Sequence, residues 1–421
     1  MAQISSNNAA WKDLFDELPI HEKIEKFGTF HITANQIKRI GGREPRLMTK
    51  FDSRSQRPKL LAEHGITILP TTNGEYLLLK GDGYFDVPPI QQIEVYDATK
   101  IANLQTIPWQ AGIRSEPQAI DTLYMASALR SFVGDSSLQL TVRGKLRSNK
   151  FSYKFQTQIR EEVIEVDGVQ IEIDSGFEGD KILLLEAKFG SLDSFIVRQL
   201  YYPYRDLLAS GVTKEIIPVL LVYSNRVYSL YRFEFSAVDS YQSIRLVRQA
   251  DYSLEDLRTL PRLADILTNK NRTAPQGVPF PQADDLSKVF DVTDILTAGP
   301  ATKEEISERF DVDPRQGDYY ANAASWLGLA EKSKHRFRLT LAGRNFSKKG
   351  RIDRLVEMAQ LVCEMPAFSE TARAMVGGAP PTTKETADII SRAYPLTGST
   401  PIRRASTVRA WIEWLANQLR R

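Results

Sequence analysis

Asp174 stands near the end of the strand-like run "IEID". A short way on, the apolar run Ile182 to Leu185 leads straight into Glu186, Ala187 and Lys188. Side chains two apart on a strand share a face, so Glu186 and Lys188 point one way and Ala187 the other. Asp174 and Glu186 on adjacent strands could supply the one or two carboxylates that a hard cation such as Mg²⁺ takes beside its waters. Lys188 would then sit next to metal and water, where a partly desolvated ammonium can stabilise a hydroxide or a pentavalent phosphate. Those are the parts needed for metal-assisted hydrolysis of a phosphodiester. A bare Glu-x-Lys tripeptide is more often an exposed cross-strand pair of little energetic consequence. Here it closes an apolar strand, follows a suitably placed Asp, and precedes a helix and a second apolar strand.

These residues need a scaffold, and the chain can provide one. Of its 421 residues 42% are hydrophobic and 25% charged, which excludes a disordered or fibrous protein and predicts two or three globular domains. Net charge is only +3, so any attraction for an acidic polymer must come from local clusters. There is no apolar run long enough to span a bilayer, and the N-terminus lacks a secretion signal. A cytoplasmic protein, bacterial or archaeal, is expected. Cys363 is alone, and His21, His31, His64 and His335 are scattered without metal-ligand spacing, so oxygen atoms should hold any metal.

Punctuation divides the chain into an N-terminal α+β region (1–105), a core (106–265), a linker (266–283), a module at 284–350 and a helical extension (351–421). The first region opens with a short amphipathic helix around Trp11 to Leu18 and contains a hairpin, "ITIL" and "EYLLLK" across "PTTNG". Between them, residues 43–61 carry six Lys or Arg against two acids, the pattern of a solvated loop. In the core a helical pattern follows residue 118, then a basic run, 138–160, with six Lys or Arg and no acid. After the Asp174–Lys188 hairpin come a helix from about Asp193 to Ser210 and the strands "EIIPVLLVYS" and "RVYSLYRFEF". This order predicts a mixed α/β sheet flanked by helices.

Beyond the proline-rich linker, three short helices precede a basic hairpin, the form of a winged helix. Thr302 and Glu305 make a capping box for the second helix, and "PRQGDYYANAASWLGL" is the third. Such a module sets a helix in the major groove of DNA and a hairpin on phosphate. Arg315, Gln316, Tyr319 and Asn322 are the base-reading candidates on that helix. Lys332, Lys334, Arg336 and Arg338 would neutralise phosphates from the hairpin, whose Leu339 and Leu341 should face one side. Arg403 and Arg404 on the last helix are further phosphate candidates.

The order of elements around "IEIDSGFEGDKILLLEAKFG" resembles the PD-(D/E)XK nuclease fold shared by many Type II restriction endonucleases. The resemblance implies that Asp174 and Glu186 bind Mg²⁺ and that Lys188 assists the attacking water. The proline expected before the Asp is Ile173 here. Gln199, in the helix after the site, resembles the glutamine of related nucleases that reaches toward the metal or its water. Glu178 belongs to the turn between the strands, Glu161 and Glu162 are not favoured as ligands, and Tyr201, Tyr202 and Tyr204 read as packing residues. The segment "RQGDYYANAASWLGLAEK" also resembles winged helices attached to such enzymes. A Mg²⁺-dependent, sequence-specific endonuclease acting on double-stranded DNA follows, homodimeric to match a palindromic site and accompanied by a DNA methyltransferase of the same specificity. A modification-dependent endonuclease would share these motifs, and a DNA-binding regulator could keep the core as an inert scaffold.

Overall fold

The computed structural model describes residues 6–419 except 108, 110, 111, 256–259, 268, 269 and 311. Two positions of the expected linker, 268 and 269, therefore lie outside the described residues.

The N-terminal region packs α1 (Ser6–Glu17), α2 (Ile20–Phe27), α3 (Ala34–Gly41), α4 (Pro45–Thr49) and α5 (Lys59–Glu63) on an antiparallel sheet. Its strands are β1 (Thr29–Thr33), β2 (Ile66–Thr72) and β3 (Glu75–Lys80), in the order β1-β3-β2. The expected β2–β3 hairpin is present. Trp11 anchors this core, fully buried, with its indole N–H donated to the Met48 carbonyl at 3.1 Å. Residues 43–61 are not a solvated loop. They fold as α4, a 3-10 turn (Arg54–Gln56) and the start of α5, with Asp52 and Ser53 buried. The reason lies outside the segment: Arg54 forks onto Asp82 at 2.6 and 2.7 Å and reaches Asp86 at 2.8 Å. Local composition cannot reveal partners that arrive later in the chain.

The centre is a mixed sheet of seven strands in the order β5-β14-β13-β12-β10-β9-β6. Its strands are β5 (Ile93–Val95), β6 (Gln139–Arg147), β9 (Gln170–Glu178), β10 (Ile182–Phe189), β12 (Ile216–Ser224), β13 (Val227–Phe235) and β14 (Ile244–Ser253). Short pairs flank it: β4 (Tyr84–Asp86) with β11 (Ser194–Ile196), and β7 (Phe151–Gln156) with β8 (Glu161–Val166). Strands β10 and β12 run parallel, joined through α8 (Arg198–Ala209), while β9 and β10 form an antiparallel hairpin. The helix expected from Asp193 thus starts later. Ser194 to Ile196 pair with β4 instead, because Phe195 and Ile196 find a buried apolar slot there.

The helical pattern after residue 118 is two helices, α6 (Glu116–Met125) and α7 (Ala128–Val133), separated where Ser127 adopts φ +68°. Alternation then sorts the sheet's side chains. Leu183, Leu185, Ala187, Val219 and Leu221 join the large core with α6 and α7, whereas Leu220 and Val222 pack with Phe195 and Leu200 on the α8 side. Lys188 and Glu186 belong to that second face.

The C-terminal region is mostly helical. It comprises α9 (Leu263–Ile266), α10 (Leu286–Leu296), β15 (Ala301–Thr302), α11 (Lys303–Phe310), α12 (Pro314–Trp326), β16 (Ala330–Ser333), β17 (Arg336–Leu339), α13 (Leu341–Ser347), α14 (Arg351–Cys363), α15 (Pro366–Val376), α16 (Thr383–Ala393) and α17 (Thr400–Gln418). The capping box on α11 is formed: Thr302 Oγ1 accepts from Glu305 N–H at 3.2 Å and Glu305 accepts from Thr302 N–H at 2.7 Å. Leu341 departs from expectation. It leaves the hairpin to begin α13 and is 68% exposed, while Phe337 takes the buried place beside Leu339. Among its described residues the proline-rich stretch before α10, 270–283, has no helix or strand, yet it is pinned: Phe280 packs on Trp326 and Phe368, and Trp411 donates to the Ala283 carbonyl at 2.6 Å.

A charged junction joins this region to the sheet. At the β12–β13 turn Asn225 and Arg226 both have positive φ, +51° and +60°. Asp291 on α10 accepts from Asn225 N–H at 2.9 Å and Ser224 Oγ at 2.8 Å. Arg226 pairs with Glu255 at 2.5 Å and donates to the Ser347 carbonyl. Close by, Arg354 and Asp294 form a 2.9 Å ion pair with both side chains fully buried. Among the described residues no helix is long and apolar enough to cross a membrane.

Candidate active site

Pairing of β9 with β10 runs from Ile182–Glu178 to Leu185–Ser175 and then stops. At that point the strands part, and Asp174 turns its Oδ2 to accept the Ala187 N–H at 2.8 Å. The parting is what brings the Asp174 carboxylate beside Glu186. Glu186, 6% exposed, accepts at Oε1 from Lys188 Nζ at 2.9 Å and from Gln199 Nε2 at 2.6 Å. Parallel pairing with β12 holds Glu186 and Lys188 against Leu220 and Val222, so the neighbouring apolar strand limits the motion of the charged pair. Gln199 comes from the first turn of α8, whose Leu200, Tyr201 and Tyr202 are buried and lock the helix in place.

Burial dominates the electrostatics. It raises the Asp174 carboxyl above its ordinary range, against the opposing pull of the Ala187 N–H and Lys188. It raises Glu186 much further, opposed by Lys188 and reinforced by the like charges of Asp174 and Asp52. Two carboxyls whose ionisation burial opposes are suited to a cation, which reverses the penalty. A second observation fits the same group: the Gln199 Oε1 is buried with no donor among the described residues, on the side chain that donates to Glu186. Carboxylate oxygens from Asp174 and Glu186, with the Gln199 Oε1 as a further oxygen, are the donor chemistry of Mg²⁺.

The site opens into a cleft of about 460 Å³ whose lining combines Asp174, Glu186, Lys188 and Gln199 with the cations Arg46, Lys50, Lys145 and Arg198 and the acids Glu116 and Glu172. The cations match an anionic polymer. A second hollow of about 330 Å³ adjoins it through Lys188 and Glu116 and reaches Gln316 and Tyr320 on α12. The first turn of α12 therefore sits along the same depression as the carboxylates.

Sequence reasoning missed Asp52. Its carboxylate, 3% exposed, lies 3.2 Å from Lys50 Nζ and 3.8 Å from Lys188 Nζ, so the N-terminal region contributes a third acid to the centre. Nothing in the basic 43–61 stretch marks this acid as special. Glu116, at the start of α6, was likewise unremarked. Glu178 is at the far end of the hairpin, paired with Lys214 at 2.6 Å, while on β8 Glu161 pairs with Lys154 of β7 and Glu162 with Arg160 just before the strand. Tyr201 and Tyr202 are fully buried.

The DNA-contact candidates divide by environment. Arg315 and Gln316 are exposed at the start of α12, where Arg315 Nε donates to the Tyr319 hydroxyl at 2.5 Å. Asn322 is half-buried and donates to Asp318 at 2.9 Å. On the hairpin, Lys334 occupies the turn at φ +56°. Its neighbours are engaged: Lys332 with Asp318 at 3.0 Å, Arg336 with Glu305 at 3.3 Å and Arg338 with Glu331 at 2.8 Å. Arg403 is exposed on α17 and Arg404 half-buried; burial and the neighbouring Arg403 lower the Arg404 guanidinium, while Tyr319 on α12 opposes them. Arg404 and the first turns of α12 are thus on one side of the molecule.

Three domain models match the chain. They are domains of unknown function, DUF6996 over residues 8–78, DUF6997 over 79–253 and DUF7226 over 288–420. The first covers the N-terminal region almost to the end of β3, the second the central sheet with the candidate site, and the third the helical region. No curated protein and no solved structure matches the chain.

Proposed function

We propose that the chain is a Mg²⁺-dependent, sequence-specific endonuclease of double-stranded DNA, built on a PD-(D/E)XK core with a winged helix, and acting as a Type II restriction enzyme. The observation that carries this reading is the meeting of Asp174, Glu186 and Lys188 where β9 and β10 part, with Gln199 on Glu186. Asp174 and Glu186 would hold the cation, which when bound neutralises charge on the phosphate. Lys188 orients the attacking water and stabilises the charge that develops on it. Gln199 fixes the Glu186 carboxylate. Arg46, Lys50, Lys145 and Arg198 in the cleft would track the DNA backbone without reading it.

Specificity is assigned to α12. Helices α10, α11 and α12 with the β15-β17-β16 sheet have the element order of a winged helix, and Arg315 and Gln316 are exposed at the start of the third helix. Arg336 and Arg338 would exchange their surface acids for phosphates. Such exposed pairs are worth roughly 0–1 kcal/mol, so the exchange costs little. A homodimer would place two centres on a palindrome, and a methyltransferase of the same specificity would protect the host's DNA.

The test is incubation of supercoiled plasmid, methylated and unmethylated, with Mg²⁺ or with EDTA. Discrete bands from unmethylated DNA in Mg²⁺ alone are expected. Cutting restricted to methylated DNA would move the assignment to a modification-dependent enzyme. Retardation without any cleavage would leave a DNA-binding regulator.

A further inference from the structure

A second group of ligand-type side chains lies away from the cleft, on the N-terminal region. His21 and Glu25 are four apart on α2 and therefore on one face of it, while Ile20 and Ile24 are buried on the other. His64, which ends α5, comes up against this face. The His21 and His64 rings are 4.9 Å apart between centroids, and one ligand atom from each of His21, Glu25 and His64 lies within 4.8 Å of the other two. Among the described residues this is the one such group of His, Cys, Asp or Glu.

We infer that His21, Glu25 and His64 bind a divalent transition metal of the Zn²⁺ class, with water in the fourth position. Two imidazoles and one carboxylate are a donor set that suits zinc and its borderline neighbours, and differ from the oxygen set suited to Mg²⁺. Tetrahedral zinc with bonds of about 2.0–2.1 Å wants its ligand atoms about 3.4 Å apart, so the three side chains must close by a small rotation. They can do so. His21 and Glu25 are exposed and His64 is half-buried, stacked on Phe15 with centroids 5.6 Å apart, which fixes one ring and leaves the other two ligands to adjust. Lys80 pairs with Oε2 of Glu25 and so positions the carboxylate beside the two imidazoles.

The metal would tie α2 to the end of α5. That end closes the segment which began at Gly42 and which carries Lys50, Asp52 and Arg54 past the candidate active site. The bound metal is therefore a staple for the N-terminal wall of the cleft, and it is chemically separate from the Asp174–Glu186 centre.

The experiment uses the full chain carrying Glu186→Ala, so that the carboxylate centre is disabled, stripped with EDTA and titrated with Zn²⁺ against a chromophoric chelator. One equivalent should bind. Adding His21→Ala or His64→Ala should weaken binding by roughly tenfold or more, and Co²⁺ should give a visible tetrahedral spectrum that both substitutions abolish. Absence of a bound equivalent, or affinity indifferent to both substitutions, overturns the site. Should His64→Ala fail to fold because His64 packs on Phe15, the exposed His21 decides alone. Failure here leaves the nuclease reading standing, since plasmid cleavage tests that separately.

Discussion

Lys188 and Glu186 share a 2.9 Å contact and each has a role in the proposed chemistry, so substituting either should separate binding from catalysis. Glu186→Ala and Lys188→Ala are each expected to lower cleavage by roughly 100-fold or more while leaving specific DNA binding in place, measured by plasmid cleavage beside gel retardation. A variant that cuts at the normal rate removes that residue from the assignment. The protonation state offers a second check. Because burial raises Glu186 and Asp174 in the folded chain, their contribution to stability is full at acidic pH, below the unfolded value, and is lost as pH rises through the raised folded value. In EDTA the melting temperature should therefore fall as pH rises, Glu186→Gln should flatten part of that fall, and Mg²⁺ should restore more stability at the alkaline end. Asp291, raised to about 7 by burial, contributes a fall of the same sign that Glu186→Gln leaves untouched. At this scale the sequence was readable where the residues share one hairpin: period two alone places Glu186 and Lys188 together and sends Ala187 into the core. Asp52 was not readable. Its position depends on Arg54 finding Asp82 and Asp86, a tertiary contact with no local signature.

Helix α12 and the hairpin that follows it carry the next prediction. Arg315→Ala should reduce discrimination at particular base pairs by roughly 1–3 kcal/mol, read by competition binding with sites altered one position at a time. Equal weakening on every sequence would make Arg315 a phosphate contact. The elements here were legible because their boundaries are written in cap chemistry: Thr302 with Glu305 opens α11, and Asp313, whose side chain accepts the Arg315 N–H at 2.9 Å, opens α12. Where such signals were lacking, boundaries slipped. The run around Phe195 satisfies a strand as well as a helix start, and pairing with β4 decided between them. Leu341 continued the alternation of the hairpin on paper, but Thr340 caps a new helix by accepting the Gly343 N–H at 3.0 Å, which turns Leu341 outward.

Across the whole molecule, the junction between sheet and helical region sets buried charge into a shared apolar core, in which Phe189 of β10 stacks on Phe310 of α11. Arg354→Ala would leave Asp294 uncompensated beside Asp291, and a loss of about 3–5 kcal/mol in denaturant unfolding is expected. A change within ±0.5 kcal/mol would mean that the pair is incidental. None of this junction was visible in the sequence, because Arg226, Glu255, Asp291, Asp294 and Arg354 are ordinary surface-type residues until the β12–β13 turn and α10 meet. The meeting also bears on how the molecule handles its partner. An apolar interface alone can roll, but one that also locks the Arg226–Glu255 and Arg354–Asp294 pairs and two positive-φ turn residues has one setting. On the proposed function, the jaw that recognises and the jaw that cuts form a calliper of fixed gauge, so the interval between the bases recognised and the bond broken is constant, and whatever bending the encounter requires falls to the DNA.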